Sequence, residues 1–407
     1  MAGGIGVGKH TMQTRHSGDN RDDDWEEGHT HAEQQGLKSL EDKSKVTFCD
    51  RLKNLTWAWF TLTMGTGGIA LVLGCTPHRF PGLDIIGKVF LVLDLFFFIS
   101  IVTGISARFI MVPSALKTSL THPTESLFFP CFLLSTATIL GNCAVYGGPV
   151  TGGWLSVALN ICFWIYATIS TISAILQFFI LFEGAHLPIQ SMSPAWALPI
   201  FPAMIVGTLA AIIAPSQPPE QRLPILIGGV AYIGLGLMVA LLVYPLYLGR
   251  LMQHGLPAPA MRAGMFIPVG QMGYAALALI EMSRAIPEGY GYFAENPFAV
   301  DALRTVALWV GIWIWLLGFW FFAVSLLATL VVAVKWKLEF SLTWWAFIFP
   351  NVGFTVATAD IGEGLGSPAV LWISSAMTVL LFVAWFLIFI AHVIAYFTRK
   401  IMWPGRD

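Results

Sequence analysis

Four stretches of the sequence combine an aromatic residue, a proline and a following run of hydroxyl, amide and glycine residues. Their prolines, Pro130, Pro202, Pro268 and Pro350, recur at similar intervals along the chain. Hydroxyl and amide groups hydrogen-bond a carboxylate without a fixed charge, which suits a path that an anion must both enter and leave. The candidate lining residues are Thr63, Thr66, Ser135, Thr138, Asn142, Thr208, Gln271, Asn351 and Thr355. Helix–helix packing by small residues is the alternative interpretation of each of them.

The four prolines also predict a shared architecture. A proline inside a helix removes one backbone hydrogen bond and kinks the chain. Within a membrane, a kink is tolerated only where protein or water satisfies the freed carbonyl group. Because the prolines lie at similar depth, we predict that they kink their helices around one cavity. The alternative is that each kink serves only packing.

The composition places these stretches in a lipid bilayer. The chain has 407 residues, of which 56% are hydrophobic and 11% charged, whereas a soluble domain carries about 25% charged residues. The mean hydropathy is +0.73. The net charge of −1 gives no basic surface for nucleic acid. The five cysteines have no CxxC spacing, so we expect neither a metal site nor a disulfide framework, and no cofactor.

Ten apolar stretches are long enough to span the membrane. The predicted spans are 56–74, 85–110, 127–147, 154–182, 195–214, 224–250, 263–286, 302–334, 342–362 and 368–397. Several even spans are rich in Trp, Phe, Ile and Leu, which indicates contact with lipid, whereas the odd spans carry the Pro, Gly, Thr and Ser residues. We therefore predict an all-α integral membrane protein of five helical-hairpin quasi-repeats, with the odd helices lining a central pore.

Charge at the span ends predicts the orientation. With the N-terminus in the cytosol, thirteen Lys and Arg residues flank the spans on the cytosolic side and five on the outer side. Lys and Arg favour the cytosolic side, so both termini are expected there. The predicted organisation is a disordered cytosolic tail over 1–45, a transmembrane domain over 46–400 and a short cytosolic tail over 401–407.

Two stretches of the chain resemble the fungal malic-acid/C4-dicarboxylate transporters of the tellurite-resistance/dicarboxylate transporter family. The first is Arg108-Phe109-Ile110 with Ser119-Leu120-Thr121-His122-Pro123-Thr124-Glu125-Ser126-Leu127-Phe128-Phe129-Pro130, and the second is Thr56-Trp57-Ala58-Trp59-Phe60-Thr61-Leu62-Thr63-Met64. The resemblance covers roughly residues 48–400. It implies the slow-type anion channel fold, which is a homotrimer whose protomers each have a pore inside five odd helices. It also implies that a phenylalanine blocks the pore. Cys131 stands where the family leads us to expect threonine.

The resemblance directs attention to the aromatic and charged residues of the odd spans. A hydrophobic plug can gate a pore by excluding water, and its candidates are Phe349, Phe354, Phe129 and Phe201. The positive residues that could attract an anion are Arg108, His122 and Arg284. Pairing with Glu125 is the alternative for Arg108, and an ion pair with Glu281 is the alternative for Arg284. Asp94 is costly in hydrocarbon, and because it lies in an even span we expect it to have a structural partner.

These observations favour a transporter over an enzyme. We expect export of C4-dicarboxylates such as malate, with succinate or fumarate as further substrates, through a Phe-gated pore in the plasma membrane. A sulfite or other small-anion efflux channel of the same fold is the first alternative. A membrane-embedded enzyme or sensor is the second, but it would need a catalytic cluster or a folded cytosolic module, and neither is found in the sequence.

Overall fold

A computed structural model describes residues 47–185, 188–335 and 339–403. The predicted tail over 1–45 lies outside the described residues, and only 401–403 of the predicted C-terminal tail lie within them. The chain divides into two compact units, Met1–Arg51 and Leu52–Asp407. In the described part of the first unit, the Thr47 hydroxyl donates to the Asp50 carboxylate (2.6 Å). The second unit contains all the spans.

Ten long α-helices form the described part of this unit. They are α1 (Phe60–Cys75), α2 (Leu83–Met111), α3 (Pro130–Asn142), α4 (Trp154–Ile180), α5 (Phe201–Ile213), α6 (Pro219–His254), α7 (Ile267–Arg284), α8 (Phe298–Ala333), α9 (Phe349–Gly364) and α10 (Pro368–Phe397). Short helices at Ser114–Thr121 and Tyr292–Glu295 lie in connections, and π-helical turns at Cys143–Gly147 and Leu181–Ala185 extend α3 and α4. Each α-helix lies within or around one predicted span, so the all-helical fold is confirmed.

Each odd α-helix is preceded by a 3₁₀ helix. We call a 3₁₀ helix together with the α-helix that follows it an odd segment. The 3₁₀ helices are Trp57–Trp59, Ser126–Phe128, Pro194–Ile200, Pro259–Phe266 and Leu342–Phe347. The four repeated prolines occupy the first turn of the following α-helix. At that position a proline has no intrahelical hydrogen bond to remove and its fixed φ suits the helix. Contrary to the prediction from the sequence, the prolines therefore do not kink the middle of a helix. They mark the change from 3₁₀ to α geometry.

The ninth span differs most from its prediction. Nine helical stretches among the described residues are long and apolar enough to cross a membrane, and the segment containing α9 is not among them. Its helix is interrupted at Ile348, between the 3₁₀ helix and α9, and α9 itself has only 16 residues. All residues of α9 from Phe349 to Gly362 are buried. Protein rather than lipid surrounds α9, which explains how so short and polar a helix is accommodated.

Burial separates the helices into two rings. In the odd segments of α1, α3, α5 and α7, between 50% and 94% of the most apolar stretch is buried. In the even helices this share is between 22% and 33%. The odd segments therefore form an inner ring and the even helices an outer ring that presents its apolar side chains to lipid. This arrangement confirms the division predicted from the composition of the spans.

Glycines allow two inner helices to approach closely. A Cβ added to Gly273 of α7 would lie 2.4 Å from the backbone nitrogen of Phe354, and one added to Gly270 would lie 2.7 Å from Pro350 Cα. Both distances are shorter than any ordinary contact, so only glycine fits there. Small residues allow the backbones of membrane helices to pack in this way.

Candidate functional site

A cavity of about 250 Å³ lies at the end of the inner ring where the odd segments begin. All five odd segments contribute to its lining, through residues that include Thr61, Phe128, Cys131, Leu198, Phe201, Ile267, Thr343, Phe349 and Pro350. Pockets for drug-sized ligands measure roughly 300–1,000 Å³. This cavity therefore suits a small molecule.

The cavity receives the N-terminal ends of the inner helices. Thr61, Cys131, Phe201, Ile267 and Phe349 each stand at the first or second position of their α-helix. Aligned peptide dipoles make the N-terminal side of a helix partly positive, which favours a nearby anion even though the first N–H groups of Phe60, Phe201 and Ile267 bond carbonyls of the preceding 3₁₀ helices. Among the described lining residues none is acidic. The electrostatics of the cavity therefore favour a negatively charged solute.

Arg250, in the last turns of α6, adds a full positive charge to the lining. Its guanidinium donates to the carbonyl groups of Gln190 (3.2 Å) and Gly255 (2.7 Å). Within the described part of the chain, no carboxylate lies within ion-pair distance of it. Arg250 was not among the predicted anion-attracting residues. The signal that could have found it is its place among the Lys and Arg residues whose excess predicts the cytosolic side.

Three aromatic rings form a cluster beside the cavity, and two of them, Phe201 and Phe349, line it. The ring centroids of Phe201 and Phe349 are 5.9 Å apart, and the Tyr274 ring lies 4.9 Å from Phe349 and 6.0 Å from Phe201. Each of the three residues is only 1% exposed. The Tyr274 hydroxyl donates to the Phe349 carbonyl (3.2 Å). We call Phe201, Tyr274 and Phe349 the aromatic plug; it contains two of the four phenylalanines predicted for a gate.

The other two predicted gate residues lie elsewhere. The Phe354 ring stacks on Trp315 of α8, with centroids 5.2 Å apart, and thus points at the outer ring. Phe129 packs edge-on against Trp57 (4.9 Å) outside the cavity lining. On a helix, residues 349 and 354 cannot share one face because each residue rotates the side chain by about 100°. Phe354 and Phe129 therefore lie outside the cavity lining, and a gate role for them stays a prediction.

Several predicted lining residues instead join helices. The hydroxyls of Thr63 and Ser135 are 2.6 Å apart and link α1 to α3. Thr66 accepts a hydrogen bond from the Trp385 indole of α10 (3.1 Å). The amide of Asn142 donates to the Gly67 carbonyl (2.8 Å). These contacts match the packing alternative.

The remaining predicted lining residues divide into bonded and unbonded groups. Gln271 donates to the Ala197 carbonyl (3.2 Å) and accepts from Tyr244. The hydroxyls of Thr138 and Thr355 donate to backbone carbonyls on their own helices, those of Ser135 and Asn351. In contrast, Thr208 Oγ1 and Asn351 Oδ1 are buried and have no hydrogen-bond partner among the described residues. A lining role beyond the plug remains a prediction for these two.

Arg108 and His122 are engaged in local structure. Arg108 is 8% exposed; its guanidinium donates to both Glu125 oxygens (2.5 and 3.3 Å) and to the Leu55 carbonyl (2.7 Å). His122 Nδ1 accepts from the backbone N–H groups of Thr124 and Glu125, both at 3.3 Å. Neither residue lines the cavity. The geometry therefore supports pairing with Glu125, the alternative interpretation, rather than attraction of an anion.

Arg284 lies at the opposite end of the inner ring, surrounded by acids. Its Nη1 contacts Glu281, Glu363 (3.1 Å) and Asp360 (3.8 Å), and its Nη2 donates to the Asp360 carbonyl (2.8 Å). Three carboxylates outweigh one guanidinium, so this cluster presents an excess of negative charge. This geometry matches the ion-pair alternative for Arg284, and attraction of an anion stays a prediction.

Comparison with known proteins agrees with this geometry. Residues 54–393 match SLAC1, the voltage-dependent anion channel family. The chain is 36% identical to the malic acid transport protein of Schizosaccharomyces pombe over 89% of its own length and 83% of that protein. It is 27% identical to the sulfite efflux pump SSU1 of Trichophyton rubrum over 86% of its length and 93% of that protein. The chain belongs to the SLAC1 voltage-dependent anion channel family.

Proposed function

We propose that the chain transports C4-dicarboxylates such as malate across the membrane. The observation that carries the proposal is the cavity, which combines five helix N-termini, the Arg250 guanidinium and an absence of acidic lining residues among those described. Helix dipoles and one guanidinium attract a small anion without holding it permanently. The relative named as a malic acid transport protein supports a dicarboxylate as the substrate.

The aromatic plug is the proposed gate. Two of its rings, those of Phe201 and Phe349, line the cavity, and its three rings belong to three different inner helices. An apolar constriction excludes water and ions until the rings separate. Displacement of the Phe349 ring would join the cavity to the far side of the membrane.

Net transport is proposed to run outward, across the plasma membrane. An inside-negative potential favours the exit of a dianion by roughly 4.6 kcal/mol per 100 mV, twice the value for a single charge. No coupled ion is needed for export in this scheme. We further propose that both termini are cytosolic, that the cavity faces the cytosol and that three copies of the chain assemble. Relatives in the family are transporters, and a non-enzymatic role is proposed on that ground.

Sulfite is the second candidate substrate. Its support is the similarity to proteins named sulfite efflux pumps, which span most of the chain at lower identity than the malic acid transport protein. The electrostatics of the cavity suit either anion. The two functions differ in which anion carries current and which one competes.

The test is transport by the purified full-length protein in liposomes at a clamped voltage. We expect a current that depends on internal malate, reverses with the malate gradient and persists without a proton gradient. Weak competition by sulfite against labelled malate would support the dicarboxylate proposal, whereas a sulfite current with no malate current would refute it. Strict dependence on a proton gradient would refute uncoupled export.

A further inference from the structure

Asp94 is a buried carboxylic acid in the middle of the outer-ring helix α2. It is 0% exposed, and neither of its carboxylate oxygens has a hydrogen-bond partner among the described residues. The structural partner expected from the sequence is therefore not found. Leaving an ionised carboxylate without a donor in a dry interior costs several kcal/mol at least. A proton or a cation bound to Asp94 would remove this cost.

The neighbours of Asp94 lie on the inner helices α1 and α3. Asp94 Oδ2 and Thr138 Oγ1 approach the same point: both lie within 2.6 Å of where a Cβ on Gly67 would be. Asn142, one turn after Thr138, donates its amide to the Gly67 carbonyl (2.8 Å). The residues Asp94, Gly67, Thr138 and Asn142 thus form one polar contact between three helices, which we call the Asp94 site.

The polar atoms of this site can accept hydrogen bonds but have few protons to donate. The Thr138 hydroxyl already donates its proton to the Ser135 carbonyl (2.8 Å), so its oxygen is left as an acceptor. Asn142 Oδ1 is a second acceptor without a partner among the residues described. An ionised carboxylate can only accept. A protonated one has an O–H group that can donate a hydrogen bond to Thr138 Oγ1 once the two side chains close to hydrogen-bond distance.

A proton fits the site better than a metal cation does. Oxygen-coordinated cations need several ligands at 2.0–2.6 Å around a free volume, by the general geometry of such sites. Only one carboxylate oxygen and one hydroxyl oxygen approach the same point here, and among the described residues no three His, Cys, Asp or Glu side chains converge on a metal position. A proton adds no volume and converts the orphaned acceptor into a donor.

We propose that the Asp94 site binds a proton, so that Asp94 is a neutral acid that donates to Thr138 and braces α2 against α1 and α3. The packing of α2 on α1 affects the proposed gate, because Gly68, the residue after Gly67, lies beside the Phe349 ring. A Cβ on Gly68 would lie 3.5 Å from the Phe349 ring. Loss of the proton places an unpaired charge beside α1 and loosens the surface on which the plug packs. This regulatory part of the proposal rests on the proposed function.

Other titratable groups on the surrounding elements do not provide a partner. Cys75 belongs to α1, Cys143 and Tyr146 follow α3, and His392 belongs to α10. The Tyr146 hydroxyl donates to the Ala70 carbonyl (2.6 Å), and His392 Nδ1 accepts from the Trp345 indole (3.1 Å). Cys143 is near enough to interact electrostatically with Asp94 but makes no hydrogen bond to it. On α2 itself, Arg108 is paired with Glu125, Asp84 is paired with Arg79, and Lys88 is exposed. Cys131 of α3 is buried and makes no hydrogen bond to Asp94.

The direct test is infrared difference spectroscopy of the full-length protein in liposomes. We expect wild type to show the carbonyl band of a protonated carboxyl group at neutral pH, and Asp94→Asn to lose that band. Asp84→Asn is the matched control, because Asp84 lies on the same helix but is exposed, and it should retain the band. Spectra of wild type and Asp94→Asn without this difference would overturn the proposal. So would thermal stabilisation by Na⁺ of wild type but not of Asp94→Asn, because it would identify a cation site.

A second variant keeps the test valid if Asp94→Asn does not fold. Thr138→Val removes the proposed acceptor but keeps the side-chain shape, so the same carboxyl band should shift in frequency. A band that is unchanged in Thr138→Val would contradict donation to Thr138.

The regulatory part has its own readout. We expect the stability and gate closure of wild type to weaken as the pH rises, so that malate flux increases with pH in wild type but not in Asp94→Asn. Equal pH dependence in both proteins would overturn the link to the gate. Absence of malate flux from every protein, with the infrared band still present, would refute the proposed function and leave the proton site standing.

Discussion

The same residue type has different roles at different places in this chain. Arg108 is paired with Glu125, and Arg284 is surrounded by three carboxyl groups. In the part of the chain that the structure describes, Arg250 bonds only backbone carbonyls, and it lines the cavity. A guanidinium bound to uncharged acceptors keeps its full charge for a passing anion. Among the arginines considered for the pathway, Arg250 is therefore the one expected to act on the substrate.

Replacement of Arg250 tests this role. We expect Arg250→Gln to raise the malate concentration at half-maximal flux roughly 5- to 30-fold, which corresponds to about 1–2 kcal/mol of lost attraction. The flux should also become less sensitive to salt. Arg222→Gln is the control, because Arg222 starts the same helix at the other end and likewise bonds only carbonyl groups in the described structure. Similar losses in both variants would argue against the cavity.

The two phenylalanines of α9 provide a matched test of the gate. Phe349→Ala removes ring contacts with Phe201 and Tyr274, which together are worth roughly 1–3 kcal/mol, or about 5- to 150-fold in the ratio of open to closed states. We expect a raised resting anion current in liposomes. Phe354→Ala deletes an equal volume from contacts with Trp315 of the outer ring and should reduce stability without opening the pore. A larger current in Phe354→Ala would place the gate elsewhere.

At the scale of helices, the repeated unit is a 3₁₀ helix followed by an α-helix with proline in its first turn. Helix α1 repeats the unit without a proline, since Trp57–Trp59 is 3₁₀ and Phe60 starts the α-helix. The change of helix type positions Phe201 and Phe349 at the floor of the cavity. In the ninth segment the Tyr274 hydroxyl holds this change by bonding the Phe349 carbonyl.

Close packing of α7 on α9 is required by glycine, and this gives a prediction for these helices. Gly273→Ala forces a methyl group against the backbone of Gly353 and Phe354. We expect a loss of about 1–3 kcal/mol in the free energy of unfolding, as for other overpacked sites, seen as a lower melting temperature in detergent. Gly234→Ala, on the outer-ring helix α6 with open space around it, should change stability by less than about 0.5 kcal/mol. Equal melting temperatures would contradict the close contact.

At the scale of the whole molecule, the outer ring of helices faces lipid and the inner ring encloses the cavity. The outer helices meet lipid with Trp, Phe, Leu and Ile side chains, and the inner segments are shielded enough to tolerate glycine, proline and hydroxyl residues. This shielding permits the irregular backbone around Ile348 at membrane depth. The cavity and the Arg284 cluster then lie at opposite ends of the inner ring.

The proposed orientation can be measured in intact cells. A membrane-impermeant thiol reagent should label Glu295→Cys, which is exposed on the short helix between α7 and α8. The native Cys49, which is also exposed, should react only after permeabilisation if the N-terminal end is cytosolic. The reverse pattern would invert the topology and turn the cavity to the outside.

The sequence by itself determined the membrane fold, the ten segments and the division into inner and outer helices. It could do so because the bilayer requires each span to have a certain length and an apolar composition, and both properties are visible in the residues of that span alone. Only the tertiary structure decided which side chains share the cavity. Phe349 and Phe354 are both phenylalanines of α9, but Phe349 packs on the inner helices and Phe354 packs on an outer helix. Thr63, Ser135 and Asn142 are polar, but they bond neighbouring helices. The direction of a side chain depends on the rotation and contacts of its helix, which no local pattern specifies.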